Sequence, residues 1–300
     1  MQKRYDALIV GGGPAGLAAA LTLGRARKSV LLCDSGPRRN AAATHIHNFV
    51  TRDGTPPDEF RRIAREQLTP YTSVEVQDTR VEAIEGELGR FRVELATGMI
   101  EARRILLCVG MIDELPDIPG YRELWGKAIF QCPYCHGWEV RDRRFGSFVS
   151  SLPLLEWALF LQGWSRDMVV FTNGLFEVPA ETRDRLAAAG ARLEERKVRR
   201  LVPRGEELES VELEDGEHIS RDVIFAHPPQ RHTAIVASLG LDLDPQGFVR
   251  LNDQLETSRP GIHAAGDITT PRQAAIAAAT SAMLAAHMLN HALMTDPLLP

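Results

Sequence analysis

Cys132 and Cys135 have the residue types and spacing needed for redox chemistry, in a stretch that reads Cys-Pro-Tyr-Cys-His and ends at His136. Two cysteines separated by two residues can close a small reversible disulfide, and this spacing usually lowers the pKa of one thiol, so that a thiolate can attack. The imidazole beside them can accept a thiol proton near neutrality, because the reference pKa of histidine is about 6.5. We therefore predict thiol–disulfide exchange, with Cys132, Cys135 and His136 as catalytic residues.

Zinc binding is the main alternative use of a C-x-x-C pair. A structural zinc ion needs four ligands, and the sequence contains no second C-x-x-C pair that could complete such a set. His45 and His47 lie in a loop-like stretch without an acidic or thiol neighbour, which favours contact with a substrate or cofactor over metal binding. We predict no metal site.

A dinucleotide-binding fingerprint lies near the start of the chain. The apolar pattern predicts a strand at 5–10, a helix at 14–27 and a second strand at 29–33, which form a β-α-β unit. The glycines of Gly11-x-Gly13-x-x-Gly16 fall at the turn between the first strand and the helix, and Asp34 follows the second strand, as this fingerprint requires.

Each residue of the fingerprint has its own physical role. Gly11 permits the tight turn, Gly13 lets the backbone approach a pyrophosphate, and Gly16 lets the helix pack closely on the strand. The N-terminus of the helix then faces the phosphates. Asp34 would accept hydrogen bonds from ribose hydroxyls and would repel a 2′-phosphate.

The rest of the chain forms a middle domain, and its last segment belongs again to the first domain. Residues 113–120 contain two prolines and a glycine, which is typical of a linker. The middle stretch again begins as β-α-β, and later strand and helix patterns complete the first domain. We predict a discontinuous first domain, 1–114 with 246–300, that encloses a middle domain, 115–245.

Four motifs occur in the order and at the spacing of a known family. They are Gly11–Gly16 with Asp34, Leu107–Gly110 before Leu115–Gly120, the C-x-x-C pair, and Thr257–Asp267 followed by Arg272, Gln273 and Ala274. On these residues nearly the whole chain resembles the low-molecular-weight thioredoxin reductases, which are FAD-dependent disulfide oxidoreductases. The resemblance implies an α/β fold of two Rossmann-like, doubly wound domains of the three-layer ββα type. It also implies a homodimer.

The same resemblance assigns residues to the flavin site. It places Asp267 at the ribityl-phosphate region, Gln273 and Ala274 at the isoalloxazine, Val81 by the adenine and Asn48 near the flavin. The predicted FAD-binding residues are Gly11, Gly13, Pro14, Ala15, Gly16, Asp34, Ser35, Asn48, Val81, Gly110, Gly266, Asp267, Arg272, Gln273 and Ala274.

The middle domain departs from this family at its nucleotide site. Family members carry a second G-x-G-x-x-A/G fingerprint there, but Val149, Ser151 and Leu154 stand at the positions of its small residues. Branched or bulky side chains would obstruct the tight turn, and Pro153 lacks a backbone donor. The basic cluster for the NADPH 2′-phosphate is replaced by Thr-Asn-Gly at 172–174. We therefore predict an enzyme that does not use NADPH.

Pro-Tyr between the cysteines and His136 after them resemble one branch of the family, the flavin-dependent dithiol oxidases of the gliotoxin and holomycin oxidase type. Reductases usually carry aspartate at position 136. The resemblance implies that electrons flow from a dithiol, either a small molecule or a thioredoxin-like protein, through the cysteines to FAD and then to oxygen or another acceptor. Cys132 would exchange with the substrate, and Cys135 would face the flavin.

Two alternatives to dithiol oxidation stay open. One is a thioredoxin-disulfide reductase fed by NADPH, ferredoxin or another flavin. The other is a non-catalytic flavin-binding scaffold or redox sensor, which the intact C-x-x-C-H stretch disfavours.

Composition argues against several other classes of protein. A net charge of −5 and a pI near 6.0, with arginines scattered among acids, give no electrostatic footprint for nucleic acid. The alanine-rich stretch 274–289 is too weakly apolar to cross a membrane. The four cysteines are too few for a disulfide framework, which favours a reducing cytoplasm. Cys33 and Cys108 lie in buried-strand patterns and are predicted to be inert core residues.

Overall fold

The structure, a computed structural model, describes residues 3–295. Its strands, in chain order, are β1 (Arg4–Val10), β2 (Val30–Cys33), β3 (Val74–Gln77), β4 (Val81–Glu85), β5 (Phe91–Leu95), β6 (Gly98–Leu107), β7 (Ile112–Asp113), β8 (Ile129–Phe130), β9 (Phe145–Phe148), β10 (Met168–Phe171), β11 (Arg192–Glu194), β12 (Val198–Arg204), β13 (Glu207–Leu213), β14 (His218–Ser220), β15 (Val223–Ala226), β16 (Gln230–Arg231) and β17 (Ile262–Ala264). Its helices are α1 (Pro14–Arg25), α2 (Pro57–Glu66), α3 (Tyr121–Leu124), α4 (Pro133–His136), α5 (Leu154–Phe160), α6 (Ala180–Ala188), α7 (Ala234–Ser238) and α8 (Ala275–Thr295). Short 3-10 segments lie at Arg39–Ala42, Leu161–Gly163 and Gly266–Thr269.

The chain forms two compact units. Of the described residues, the second unit takes Ala42–Asn48 and Asp113–Gln230, and the first unit takes the others. The return to the first unit therefore comes at Arg231, earlier than the 246 that the sequence pattern predicts. Val236 and Leu241 explain the difference, because both are buried in the core of the first unit. Residues 1–2 and 296–300 of the predicted first domain lie outside the described residues.

The first unit is built on a seven-stranded sheet with the order β3-β2-β1-β6-β5-β4, in which β17 also pairs with β6. The strands β3, β2, β1, β6 and β17 run parallel, and β4 and β5 extend the sheet in antiparallel pairs. β2 is buried on both faces, as the continuous apolar run of a parallel strand predicts. Alanines of α1 and α8 share one core with the sheet, and these small side chains let the two helices approach closely.

The second unit has a five-stranded parallel sheet with the order β11-β10-β9-β15-β8 and a separate antiparallel sheet, β12-β13-β14. Phe145, Phe171 and Phe225 are fully buried in its core. β8 ends at Phe130, so the chain leaves the carboxyl edge of this sheet two residues before Cys132. The redox motif is thus attached directly to the edge of a rigid sheet.

Two departures from the sequence pattern have physical causes. Alternating apolar residues predict one strand over 74–81, but the chain breaks after Gln77, because β3 runs parallel to β2 whereas β4 pairs antiparallel with β5. Of the sheet β12-β13-β14, the sequence pattern predicts only one short strand, at 211–213. Its strands carry charged side chains that pair with each other, such as Arg200 with Glu212. Because these charged residues interrupt the alternation of apolar and polar residues, the strands are not recognisable in the sequence.

Candidate redox and cofactor sites

Cys132 and Cys135 are joined by a disulfide, with their Cα atoms 5.2 Å apart. α4 begins directly after Cys132, at Pro133, whose fixed φ suits the first position of a helix. The carbonyl of Cys132 accepts hydrogen bonds from the amides of Cys135 (3.1 Å) and His136 (3.2 Å). Both cysteines are partly buried, so one helical turn holds the disulfide at the surface of the second unit.

Trp164 packs against this redox turn at Gly137. A Cβ atom on Gly137 would lie 2.7 Å from Cδ1 of Trp164, so a larger residue would force the indole away. Tyr134, between the two cysteines, is 63% exposed and meets Trp164 edge-on, with the ring centroids 5.5 Å apart. Phe160 completes the cluster, with its ring centroid 5.3 Å from that of Trp164. An aromatic cluster therefore supports the turn.

His136 is held neutral by its surroundings. Its ring stacks on Phe130, with the centroids 4.4 Å apart and the planes inclined by 14°. Burial is the main cause that lowers the pKa of His136 to about 4; the charge of His47 lowers it further, and Glu139 acts in the opposite direction. Its Nδ1 is buried and has no hydrogen-bond partner among residues 3–295. At neutral pH this imidazole can therefore accept a proton.

His47 also belongs to the second unit and lies near the redox turn. Its Nε2 is 3.6 Å from Oε1 of Glu139. The neighbouring His45 is exposed, with its ring centroid 5.9 Å from that of His47. Within the described part of the chain, no three histidine, cysteine or acidic side chains are grouped so that they could hold a metal ion.

The glycine fingerprint of the first unit has the geometry that its sequence predicts. Gly11 has φ +107°, and a Cβ atom there would collide with the carbonyl oxygen of Cys108. A Cβ atom on Gly16 would collide with the carbonyl oxygen of Gly11, so α1 can only pack this closely without a side chain. Apart from the adjoining residues and the backbone of α1, no atom of residues 3–295 lies within 4 Å of the Cβ position of Gly13, which leaves room for a ligand beside the backbone. These residues fit a dinucleotide pyrophosphate.

Asp34 lies at the end of β2, beside the fingerprint, and is 6% exposed. Its Oδ1 accepts a hydrogen bond from the amide of Gly36 (3.0 Å), and its Oδ2 is paired with Arg61 and with Arg65, the latter at 3.1 Å. A side chain on Gly12 would strike this carboxylate. The two arginines of α2 were missed by the sequence reasoning, because a surface arginine on an amphipathic helix carries no special signal.

Gly266 and Asp267 are far from the glycine fingerprint in sequence but lie next to it in the fold. The Cβ position of Gly266 lies 3.2 Å from Cβ of Ala15, which places the Gly-Asp pair against the start of α1. Asp267 accepts a hydrogen bond from Nη1 of Arg39 (2.9 Å), and Oε1 of Gln273 accepts one from the same atom (2.6 Å). Arg39, a third residue that the sequence reasoning missed, thus ties two predicted flavin residues together.

The remaining predicted flavin residues fall into two groups. Those in the first unit lie at the ends of its elements, namely Pro14, Ser35, Val81, Gly110, Arg272 and Ala274. Asn48, with φ +58°, belongs to the second unit, and its place near the flavin stays a prediction.

The place of a second fingerprint, after β9, is filled by side chains. Val149, at the position equivalent to Gly11, is 2% exposed, and its amide bonds to the carbonyl of Phe171 (3.0 Å) as that of Gly11 bonds to the carbonyl of Cys33 (2.8 Å). The two turns therefore differ in their side chains, because Val149, Ser151 and Leu154 stand where the first turn has glycines. Asn173, after β10, accepts a hydrogen bond from the amide of Val198 (2.7 Å). This turn does not fit a pyrophosphate in the way that the first one does.

A sequence model of the pyridine nucleotide-disulphide oxidoreductases matches residues 5–152 and 172–286. The chain belongs to this family. The stretch that the match leaves out, 153–171, contains α5, the helix that a second nucleotide turn would open.

The chain is also similar to individual members of the pyridine nucleotide-disulphide oxidoreductases. The thioredoxin reductase aclD of Aspergillus oryzae is 32% identical over 296 residues, which cover 94% of each chain. An oxidoreductase from Agrobacterium tumefaciens is 36% identical, with a TM-score of 0.91 over 98% of this chain and 99% of that one. The crystal structure of HlmI is also 36% identical, with a TM-score of 0.89 over 97% of this chain and 92% of that one.

These similarities confirm the predicted α/β fold with two Rossmann-like domains and the thioredoxin reductase-like family. The protein is an enzyme, a flavin-dependent disulfide oxidoreductase, and its family acts on disulfide and dithiol substrates. Among residues 3–295, no helix combines the length and the apolar character that a membrane span requires.

Proposed function

We propose that this enzyme oxidises dithiols to disulfides through the Cys132–Cys135 disulfide, with FAD in the first unit and without NADPH. The observation that carries the proposal is the contrast between the two turns. Gly11 has φ +107° and no side chain, whereas Val149, at the equivalent place after β9, carries a buried side chain, and Ser151 and Leu154 stand where the first turn has Gly13 and Gly16. These differences support a route for electrons into the enzyme through the cysteines, because the turn after β9 lacks the glycines of a nicotinamide site.

The thiol chemistry proceeds in two exchanges. A substrate thiolate attacks Sγ of Cys132, which breaks the Cys132–Cys135 bond and leaves a mixed disulfide and a Cys135 thiolate. The second substrate thiol loses its proton and attacks the substrate sulfur of the mixed disulfide, releasing the product disulfide and the Cys132 thiolate. The substrate has then lost two electrons and two protons, and the cysteine pair has gained the two electrons.

His136 is the base that we assign to these exchanges. Because burial holds its pKa at about 4, the imidazole is uncharged and able to accept a proton at neutral pH. A thiolate formed beside it would favour the protonated ring, since an opposite charge stabilises imidazolium. The lowered pKa of the ring opposes proton transfer from a thiol, and the thiolate formed beside the ring offsets part of this cost.

The first unit supplies the site for FAD, whose chemistry is to take two electrons from the reduced cysteines and pass them to oxygen or another acceptor. Gly13 and the start of α1 would receive the pyrophosphate, and Asp34 would accept the ribose hydroxyls. Asp267 and Gln273, fixed by Arg39, would orient the rest of the cofactor.

Anaerobic rapid mixing tests the direction of electron flow. Dithiothreitol should bleach the flavin absorbance of the purified enzyme, and NADPH should not do so at a catalytically useful rate. Serine at either position 132 or position 135 should abolish bleaching by dithiothreitol. Rapid bleaching by NADPH would instead establish the reductase, which the names of the thioredoxin reductase relatives favour. A colourless protein that rejects FAD would refute the proposal as a whole.

The homodimer and the cytoplasmic compartment stay predictions that follow from the family resemblance and from the cysteine content.

A further inference from the structure

Residues 42–48 carry a second histidine to the redox turn. This segment follows the first β-α-β unit in sequence but clusters with the second unit. It packs at Gly126, whose Cβ position is 2.5 Å from Cβ of Ala42, and its Ile46 is buried. At its far end, Nε2 of His47 lies 3.6 Å from the carboxylate of Glu139.

Glu139 connects this segment to His136. The backbone continues from α4 as turns through residues 137–140, and residues three apart on a helical turn share a face. Glu139 is therefore on the side of the turn that carries His136, and its ion-pair partner His47 lies on that side too. The side chain of Glu139 is 40% exposed and that of His47 is 18% exposed, so the pair is partly shielded from solvent.

We propose that His47 and Glu139 are positioning residues that act through His136 on the thiol–disulfide exchange at Cys132 and Cys135. The inference rests on the proposed function for its catalytic meaning. His47 and Glu139 are the charged groups that act on His136, Phe130 covers one face of its ring, and the two cysteines do not titrate while they are disulfide-bonded.

The pair acts on His136 with opposite signs. A positive charge on His47 disfavours a second positive charge on His136, and the carboxylate of Glu139 favours it. Burial keeps the ring neutral in the resting enzyme, and the two charges adjust how readily it takes a proton when a thiolate appears. Removal of either His47 or Glu139 would therefore shift the pKa of His136 in one direction. Burial, the largest cause of the lowered pKa, would stay in place.

The test is a direct titration of His136 in the FAD-loaded full-length enzyme, by NMR of labelled histidine rings, with His136→Gln to assign the signal. His47→Gln should raise the pKa of His136 by about 0.5 to 1 unit, the size expected of one partly screened charge. His47→Lys, which keeps a positive charge, should leave the pKa near the wild-type value. Glu139→Gln should lower it.

His45→Gln is the matched control, because it removes an exposed imidazole two residues away and should leave the pKa of His136 unchanged. The acidic limb of the rate of flavin reduction by dithiothreitol should move in the same directions as the NMR midpoints. Midpoints that stay within about 0.2 unit in His47→Gln, or that rise equally in His47→Lys, would overturn the inference. If dithiothreitol fails to reduce the wild-type flavin, the proposed function fails, while the NMR titration still decides the role of the pair.

Discussion

At the scale of single residues, the four cysteines divide into two chemical classes. Cys132 and Cys135 are partly buried on a turn at the surface, whereas Cys33 and Cys108 are buried in the first unit. Burial raises the pKa of Cys33 to about 12 and raises that of Cys108 even further. Thiolate chemistry in the folded enzyme is therefore confined to the C-x-x-C pair, as the sequence predicts.

This division allows a clean test of which cysteine exchanges with substrate. In Cys135→Ser the Cys132 thiol should form one stable mixed disulfide per chain with 5,5′-dithiobis(2-nitrobenzoate), read by released thionitrobenzoate. In Cys132→Ser the remaining thiol should react at least about tenfold more slowly, because the proposed role of Cys135 is to face the flavin. The buried cysteines provide an internal background that should stay silent. Faster labelling of Cys132→Ser would reverse the assigned roles.

At the scale of elements, the sequence predicts well what is local and poorly what depends on long-range pairing. Gly11, Gly16 and Asp34 could be assigned because the strand, turn and helix that position them are contiguous in sequence. Arg39 and Arg61 could not, because their partners Asp267 and Asp34 are reached only after the chain folds. The placement of residues 42–48 in the second unit likewise leaves no mark in the local pattern.

Arg39 provides a prediction at this scale, since it joins the 3-10 segment at 39–42 to Asp267 and to Gln273 before α8. Arg39→Gln should weaken FAD binding about tenfold, or about 1.4 kcal/mol, because charge-assisted hydrogen bonds that orient two cofactor residues are lost. Flavin fluorescence quenching on titration of the apoenzyme measures this change without reference to activity.

Arg38→Gln is the matched control for that experiment. Arg38 pairs at 2.6 Å with Asp58, whose side chain is 77% exposed, and such a surface ion pair contributes at most about 1 kcal/mol. Its loss should leave the dissociation constant of FAD within a factor of two or so. Equal weakening in both variants would show a general effect of positive charge near the site and would remove the specific role of Arg39.

At the scale of the whole molecule, the two units carry the two features that the proposed reaction requires. The first unit keeps the glycines, the strand-end acid and the Gly-Asp pair of a dinucleotide site, and the second unit holds the redox turn on a sheet edge. The fold of the second unit persists although its turn at Val149 is filled, because its core depends on buried phenylalanines and not on a nucleotide. The proposed loss of a nicotinamide site is thus compatible with retention of the fold.

The pH dependence of stability is the last property of the whole molecule that the structure predicts. His263, on β17, is 1% exposed, and burial lowers its pKa to about 4, with nearby Glu256 acting in the opposite direction. Because the unfolded chain has the ordinary pKa of about 6.5, it binds more protons than the folded chain between those two values. Stability should therefore fall as the pH is lowered through this window, by up to about 1.4 kcal/mol per pH unit for one histidine.

Replacement of His263 by leucine should remove this contribution, since leucine cannot titrate. The midpoint of thermal unfolding, followed by the fluorescence of released flavin from pH 7.5 to 4.5, should then fall less steeply in His263→Leu than in the wild type. Some slope should remain, because His136 has a lowered pKa of the same sign. His287→Gln, which removes an exposed histidine of α8, should keep the wild-type slope. If His263→Leu also keeps the wild-type slope, the prediction is wrong. His263 would then be protonated as easily in the folded enzyme as in the unfolded chain, and it would not be buried in solution.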